Sequence, residues 1–91
     1  MVTERYLHGP GPVYRRAAER GRMLPEGLTY VDSWVVADQR LDRCFQLMET
    51  ADAALLEVWA QKWRDLVNIE IVPVVTSAEA ASRVDVGWDG G

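Results

Sequence analysis

Apolar and polar positions change their period several times along this chain, and each change marks an element. Residues 2–7 read as a short strand, which Gly9-Pro10-Gly11 interrupts before Pro12, a residue suited to the first turn of a helix because its missing N–H has no partner there anyway. In residues 12–22, Val13, Tyr14, Ala17 and Ala18 recur at three- and four-residue spacing, with Arg15, Arg16, Glu19 and Arg22 largely off that stripe. After Pro25-Glu26-Gly27 comes a run rich in Tyr, Val and Trp, residues 28–37, and a polar interval of four residues leads into a second run, residues 42–50. So short an interval predicts a hairpin with antiparallel strands. Asp52 is a candidate cap for a second helix whose Leu55, Leu56, Trp59, Trp63 and Leu66 share one face. A last strand over residues 68–75 contains Pro73, which argues for a sheet edge, and Thr76 followed by Glu79 has capping-box form for a short final helix.

The order is strand, helix, strand, strand, helix, strand. It predicts an α+β, ferredoxin-like βαββαβ sandwich over residues 1–84, an antiparallel four-stranded sheet with two helices on one face, followed by a flexible C-terminal tail at 85–91. At 91 residues a single chain buries only about 60% of the surface its unfolded form exposes, so a partner that covers more is a natural remedy.

Four phrases carry a resemblance: Tyr30-Val31-Asp32-Ser33-Trp34, Cys44-Phe45-Gln46-Leu47-Met48-Glu49, Trp59-Ala60-Gln61-Lys62-Trp63 and Glu70-Ile71-Val72-Pro73-Val74. In that order they resemble a family of small bacterial proteins known only as a domain of unknown function. That family is usually placed in the dimeric α/β-barrel superfamily, whose sheets pair face to face and whose characterised members include cofactor-independent monooxygenases and muconolactone isomerase. The resemblance implies a ferredoxin-like chain in a dimeric α/β barrel. Many members carry Arg-Trp-His where this chain has Ser33-Trp34-Val35, so an activity built on that arginine and histidine does not transfer.

Alternation in the third strand sends Phe45 and Leu47 one way and Cys44, Gln46 and Met48 the other, and both sets are substantially apolar. Both faces of the sheet are therefore expected to be covered, one by the helices and the other by a second subunit. Glu4, Tyr6, Asp32, Trp34, Gln46 and Met48, with Cys44, are placed on that second face, subject to a one-residue register exchange. Aromatic walls with a few polar groups suit a small-molecule pocket between the sheet faces, and Tyr, Trp and Met are equally ordinary interface residues. Trp59 and Trp63, four apart on a helix, read as core.

Composition narrows the chemistry. Net charge is −4, and only one of the ten basic residues is a lysine, so nucleic acid is not an expected partner. No apolar run approaches 18 residues, residues 1–8 carry Glu4 and Arg5 where a signal segment needs apolar residues, and the one cysteine fits a reducing cytoplasm. One histidine and one cysteine give no metal-ligand spacing, and no cofactor motif is present. A Cys44–His8 dyad is excluded on the expectation that the first and third strands run parallel, which separates the two by roughly 15 Å at ~3.3 Å per residue. Arg15, Arg16, Arg20 and Arg22 form the one basic concentration, read as a solvated helix face whose stems cover apolar surface, with an anionic ligand or acidic partner as the alternative. The functional expectation is a cytoplasmic homodimer that binds a small, partly apolar molecule. The alternatives are a cofactor-free monooxygenase or isomerase of a ring compound, with Tyr6, Trp34 and Gln46 orienting it and Glu4 or Asp32 as base, and a scaffold without a ligand.

Overall fold

The computed structural model describes residues 1–84 of the chain, so the expected tail at 85–91 lies outside the described residues. Four strands, β1 (Val2–Tyr6), β2 (Leu28–Val35), β3 (Arg43–Thr50) and β4 (Val67–Ile71), form one sheet in the order β2-β3-β1-β4 with every neighbouring pair antiparallel. Helices α1 (Pro10–Arg20) and α2 (Ala54–Gln61) make the two crossovers, and α3 (Ser77–Arg83) follows the last strand. This is an α+β chain with an open antiparallel sheet, in line with a ferredoxin-like fold.

The parallel pairing expected of the first and third strands is wrong. Glu4 pairs with Cys44 and Val2 with Gln46 in an antiparallel register. The crossover itself requires this: β1 and β2 run the same way, and β3, hairpinned to β2 and lying between them, must oppose both. His8 still misses Cys44, because it lies four residues beyond Cys44's partner, about 13 Å at ~3.3 Å per residue, and is exposed while Cys44 is buried.

Local chemistry explains the element ends. Gly9 caps α1 with φ at 76°, a conformation that costs glycine nothing, and Pro10 fills the first helical position. In the β2–β3 connection the Asp38 carboxylate accepts from the backbone N–H groups of Arg40 and Leu41 at 3.0 and 2.9 Å, fixing the turn. The Asp52 carboxylate accepts from Ala54 N at 3.0 Å, so it secures the turn that leads into α2, although the residue immediately before the helix is Ala53. Thr76 caps α3 by accepting from Glu79 N at 3.0 Å. The β4 ladder stops at Ile71, short of the expected residue 75, and Pro73, which has no N–H to donate, lies just past it. Gly27 is held to glycine by its φ of +94°, and a Cβ there would in addition oblige the end of the Leu55 side chain, 2.9 Å away, to shift.

Pairing arranges the helix-covered face in rows across the sheet. Val35, Cys44, Glu4 and Ile69 form one, Ser33, Gln46, Val2 and Ile71 the next, and Tyr30 with Met48 a third. Trp59 and Trp63 of the α2 segment press onto these rows, 2% and 5% exposed, with Val2, Val13, Leu28 and Val67 completing the core. The opposite face carries Trp34, Phe45, Thr3 and Glu70 in one row and Asp32 with Leu47 in another.

Candidate functional site

Between the sheet and α1 the packing is incomplete, leaving a cavity of about 220 Å³. The sheet supplies Glu4 and Tyr6 from β1, Cys44 and Gln46 from β3 and Ser33 and Val35 from β2, while Val13, Tyr14 and Ala17 of α1 and the two tryptophans close it from above. Small side chains make the space: Ala17 stands where the helix crosses the sheet, and Cys44 and Ser33 contribute little volume beneath it. Tyr6 and Tyr14 meet edge to face with ring centroids 6.1 Å apart, which fixes one wall.

The polar end is Glu4 with Gln46. Glu4 is only 8% exposed and accepts from Gln46 Nε2 at 2.8 Å. Burial raises its carboxyl above the usual range, and the Gln46 hydrogen bond, with smaller help from Cys44 and the charge of Arg22, offsets part of that rise. Gln46 Oε1 is buried and has no donor among the described residues. Turning the amide over exchanges the problem without removing it, because Nε2 would then occupy the orphan position. Leaving such a group unpaired costs about 1–3 kcal/mol, so Gln46 Oε1 is a polar atom beside the cavity with a hydrogen bond still to gain. The Cys44 thiol is pushed up to about 11, first by burial, and burial likewise raises the Tyr6 phenol. At neutral pH both are protonated, and Cys44 is no nucleophile.

The mouth is formed by Arg22. Its carbonyl accepts from Trp59 Nε1 at 3.0 Å and Trp63 Nε1 at 3.2 Å, and its guanidinium carbon lies 3.6 Å from the Tyr30 ring centroid. The buried indole N–H groups, which need acceptors, thus pin the loop after α1 to α2. Arg16 does similar work on the outside: it pairs with both carboxylate oxygens of Asp65 at 2.7 and 2.6 Å and lies over Trp63. That pairing holds Asp65 below the usual carboxylate range. Arg16 thereby acts as the apolar-covering stem expected of the helix-one arginines.

The expected site set is divided by the structure. Glu4, Tyr6 and Gln46 come together, and Met48 shares their face but belongs to the core. These four lie under the helices, not on a face left for another subunit. Asp32 and Trp34 point to the opposite face, because the β2–β3 register shifts between Tyr30 and Asp32. Up to Tyr30 the strand keeps the phase expected of it; beyond the bulge every side chain is inverted, so Ser33 and Val35 enter the cavity in place of Asp32 and Trp34. Tyr14, Ala17, Ser33 and Arg22 were absent from the expected set. The only sequence signal for Arg22 is indirect, the need of two neighbouring buried indoles for an acceptor.

A second concavity, about 490 Å³, lies on the open face and is lined by Thr3, Arg5, Asp42, Arg43, Asn68 and Glu70 around Phe45. It is larger, but its polar groups are mostly those of an ordinary hydrated surface, so the smaller cavity carries the stronger case for a ligand. Among the described residues no three His, Cys, Asp or Glu side chains gather as a metal site.

The family described as Domain of unknown function (DUF3303) matches residues 1–86. The chain belongs to this family. Among curated proteins and among solved structures nothing matches. The DUF3303 assignment carries no activity with it, so the cavity has to be interpreted from its own chemistry. No helix in the described residues is long and apolar enough to cross a membrane.

Proposed function

We propose that this DUF3303 domain binds a small, partly apolar molecule in the cavity between α1 and the sheet, with Glu4 and Gln46 as its polar end. One observation carries the reading: a buried carboxyl and a buried amide oxygen without a donor meet inside an aromatic-walled space. The volume sets the size of the guest. A dry cavity of about 150 Å³ takes a benzene ring, so about 220 Å³ suits one ring with short substituents. This replaces the location expected from sequence, between two sheet faces, with one inside a single chain.

A cofactor-free enzyme is the second reading, favoured by the same Glu4: a carboxyl raised by burial is a better base for an activated C–H or O–H of a ring compound than an exposed one. A homodimer, sheet against sheet in the cytoplasm, is part of the proposal. It is supported by Trp34, Phe45 and Leu47 on the open face, with Trp34 50% exposed.

The test is a thermal-shift screen of monocyclic aromatic and lactone-like compounds against the wild type and Ala17→Phe, which places a ring in the cavity without touching its polar groups. A ligand at a hundred times its Kd stabilises by about 2.7 kcal/mol, readily visible as a rise in Tm. Protection of the wild type that Ala17→Phe abolishes supports the site. Absence of any hit, or protection that survives Ala17→Phe, removes it and leaves a scaffold without a ligand.

A further inference from the structure

Arg22, an exposed residue, combines a backbone carbonyl held by two indoles with a guanidinium stacked on an aromatic ring. Its backbone is fixed from two sides by the Trp59 and Trp63 indole N–H groups. It stands between Gly21 at φ 67° and Met23 at φ 57°, and a non-glycine residue in the left-handed region is a strained arrangement that the surrounding contacts must hold. Its side chain is fixed as well. The guanidinium lies 3.6 Å from the centroid of Tyr30, and the Tyr30 hydroxyl is itself held by Ser33 Oγ at 2.7 Å. An arginine stacked on an aromatic ring uses its face for the contact and leaves its N–H donors, which lie in the guanidinium plane, free at the edges.

Those donors are unused. Arg16, Arg64 and Arg83 pair with Asp65, Glu57 and Glu79, whereas Arg22, like Arg5, Arg15, Arg20, Arg40 and Arg43, has no carboxylate oxygen within 4.0 Å and no hydrogen bond from its side chain among the described residues. Arg22 also lines the cavity that holds Glu4 and the donorless Gln46 Oε1. The cavity lining thus includes a preorganised cation and an unfilled acceptor.

We propose that the ligand is a monocyclic carboxylic acid, its carboxylate bound by Arg22 at the mouth and a hydrogen-bond-donating ring substituent received inside by Gln46 Oε1. The inference rests on the small-molecule reading above and adds the ligand's charge and polarity. A carboxylate matches the forked donors of one guanidinium, and a dianion would leave a charge uncompensated against apolar walls. Burial raises the Glu4 carboxyl against the opposing charge of Arg22, which weakens its competition with a ligand carboxylate for that guanidinium. The whole chain, at −4, repels anions, which makes a local cation necessary for this ligand class.

Isothermal titration of the wild type and Arg22→Met with the three hydroxybenzoate isomers, their methyl esters and benzoate tests this. Met retains an apolar stem over Tyr30, and the backbone carbonyl that serves the tryptophans is unaltered; matched circular dichroism and Tm confirm the fold. At least one hydroxybenzoate should bind the wild type about 10- to 100-fold more tightly than its ester, and that preference should disappear in Arg22→Met. Benzoate, which has no donor for Gln46, should bind more weakly than the best hydroxybenzoate. Esters that bind as well as the acids, or an acid preference that survives Arg22→Met, overturn this inference while leaving the small-molecule site standing. If no acid or ester binds and the broader screen also gives no hit sensitive to Ala17→Phe, the site itself falls.

Discussion

Glu4→Gln isolates the electrostatic cost of the cavity. In the folded chain Glu4 is 8% exposed and its carboxyl is raised by burial, so the folded state holds this proton more tightly than the unfolded state does. The sign follows from linkage: the stability associated with neutral Glu4 is fully present below the unfolded value near 4.5 and is lost as pH rises through the folded value. One proton limits the slope to about 1.4 kcal/mol per pH unit, and each unit by which the pKa is raised costs about 1.4 kcal/mol once both states have ionised. Glutamine keeps an acceptor for Gln46 Nε2, brings an N–H₂ into a region that holds an unpaired acceptor, and has no charge to lose. Urea unfolding followed by tryptophan fluorescence from pH 4 to pH 8 should therefore show the difference between variant and wild type growing in favour of Gln as pH rises, with a slope of at most about 1.4 kcal/mol per pH unit. Asp65, depressed by Arg16, acts in the opposite direction, its stabilisation being lost as pH falls; it is present in both proteins and drops out of the difference. Cys44 titrates near 11 and Tyr6 is also raised, so both lie above the window. A flat difference, or a variant that falls behind the wild type as pH rises, would refute the account of Glu4 as a destabilised buried acid.

Trp63→Ala should cost about 3–5 kcal/mol in the same unfolding assay, through lost burial, a new cavity and the loss of a donor to the Arg22 carbonyl; less than ~1 kcal/mol would contradict the packing described. Cys44 should resist thiol reagents at pH 8 and react readily once urea unfolds the chain, and equal rates in both states would rule out its burial. Sedimentation at micromolar concentration should give a mass near twice 10.3 kDa, with Trp34→Asp shifting it toward monomer, and a concentration-independent monomer rejects the sheet-to-sheet dimer.

Much of the fold was legible because its signals are local. The one-sided pattern of Leu55, Trp59 and Trp63, the glycine and proline that open α1, and Thr76 with Glu79 each belong to one turn or one face, and each marks an element found within a few residues of where it was expected. The direction of β1 against β3 was also implicit in the chain order, since a strand lying between two parallel neighbours and hairpinned to one must oppose both. Arg22 is a different case. Its role follows from two indoles more than thirty residues away in sequence that need an acceptor, and no local pattern records that pairing.

The bulge in β2 had the largest consequence for the site. Alternation assigns Tyr30, Asp32 and Trp34 to one face because a strand has period two, and that rule holds only while each residue has its own partner. Here Tyr30 pairs with Met48 and Asp32 with Leu47, so Val31 is the extra residue and the phase reverses after it. Nothing in Tyr-Val-Asp-Ser marks that slip, since no glycine is needed where the bulged residue keeps a negative φ. The chemical effect is large all the same. Without the bulge, an aspartate and a tryptophan would enter the cavity beside Glu4, placing a second carboxyl in the buried site and filling the space with an indole. With it, Ser33 reaches in to hold Tyr30 and Val35 takes up little room, so one inserted residue both empties the cavity and steadies the ring on which Arg22 rests.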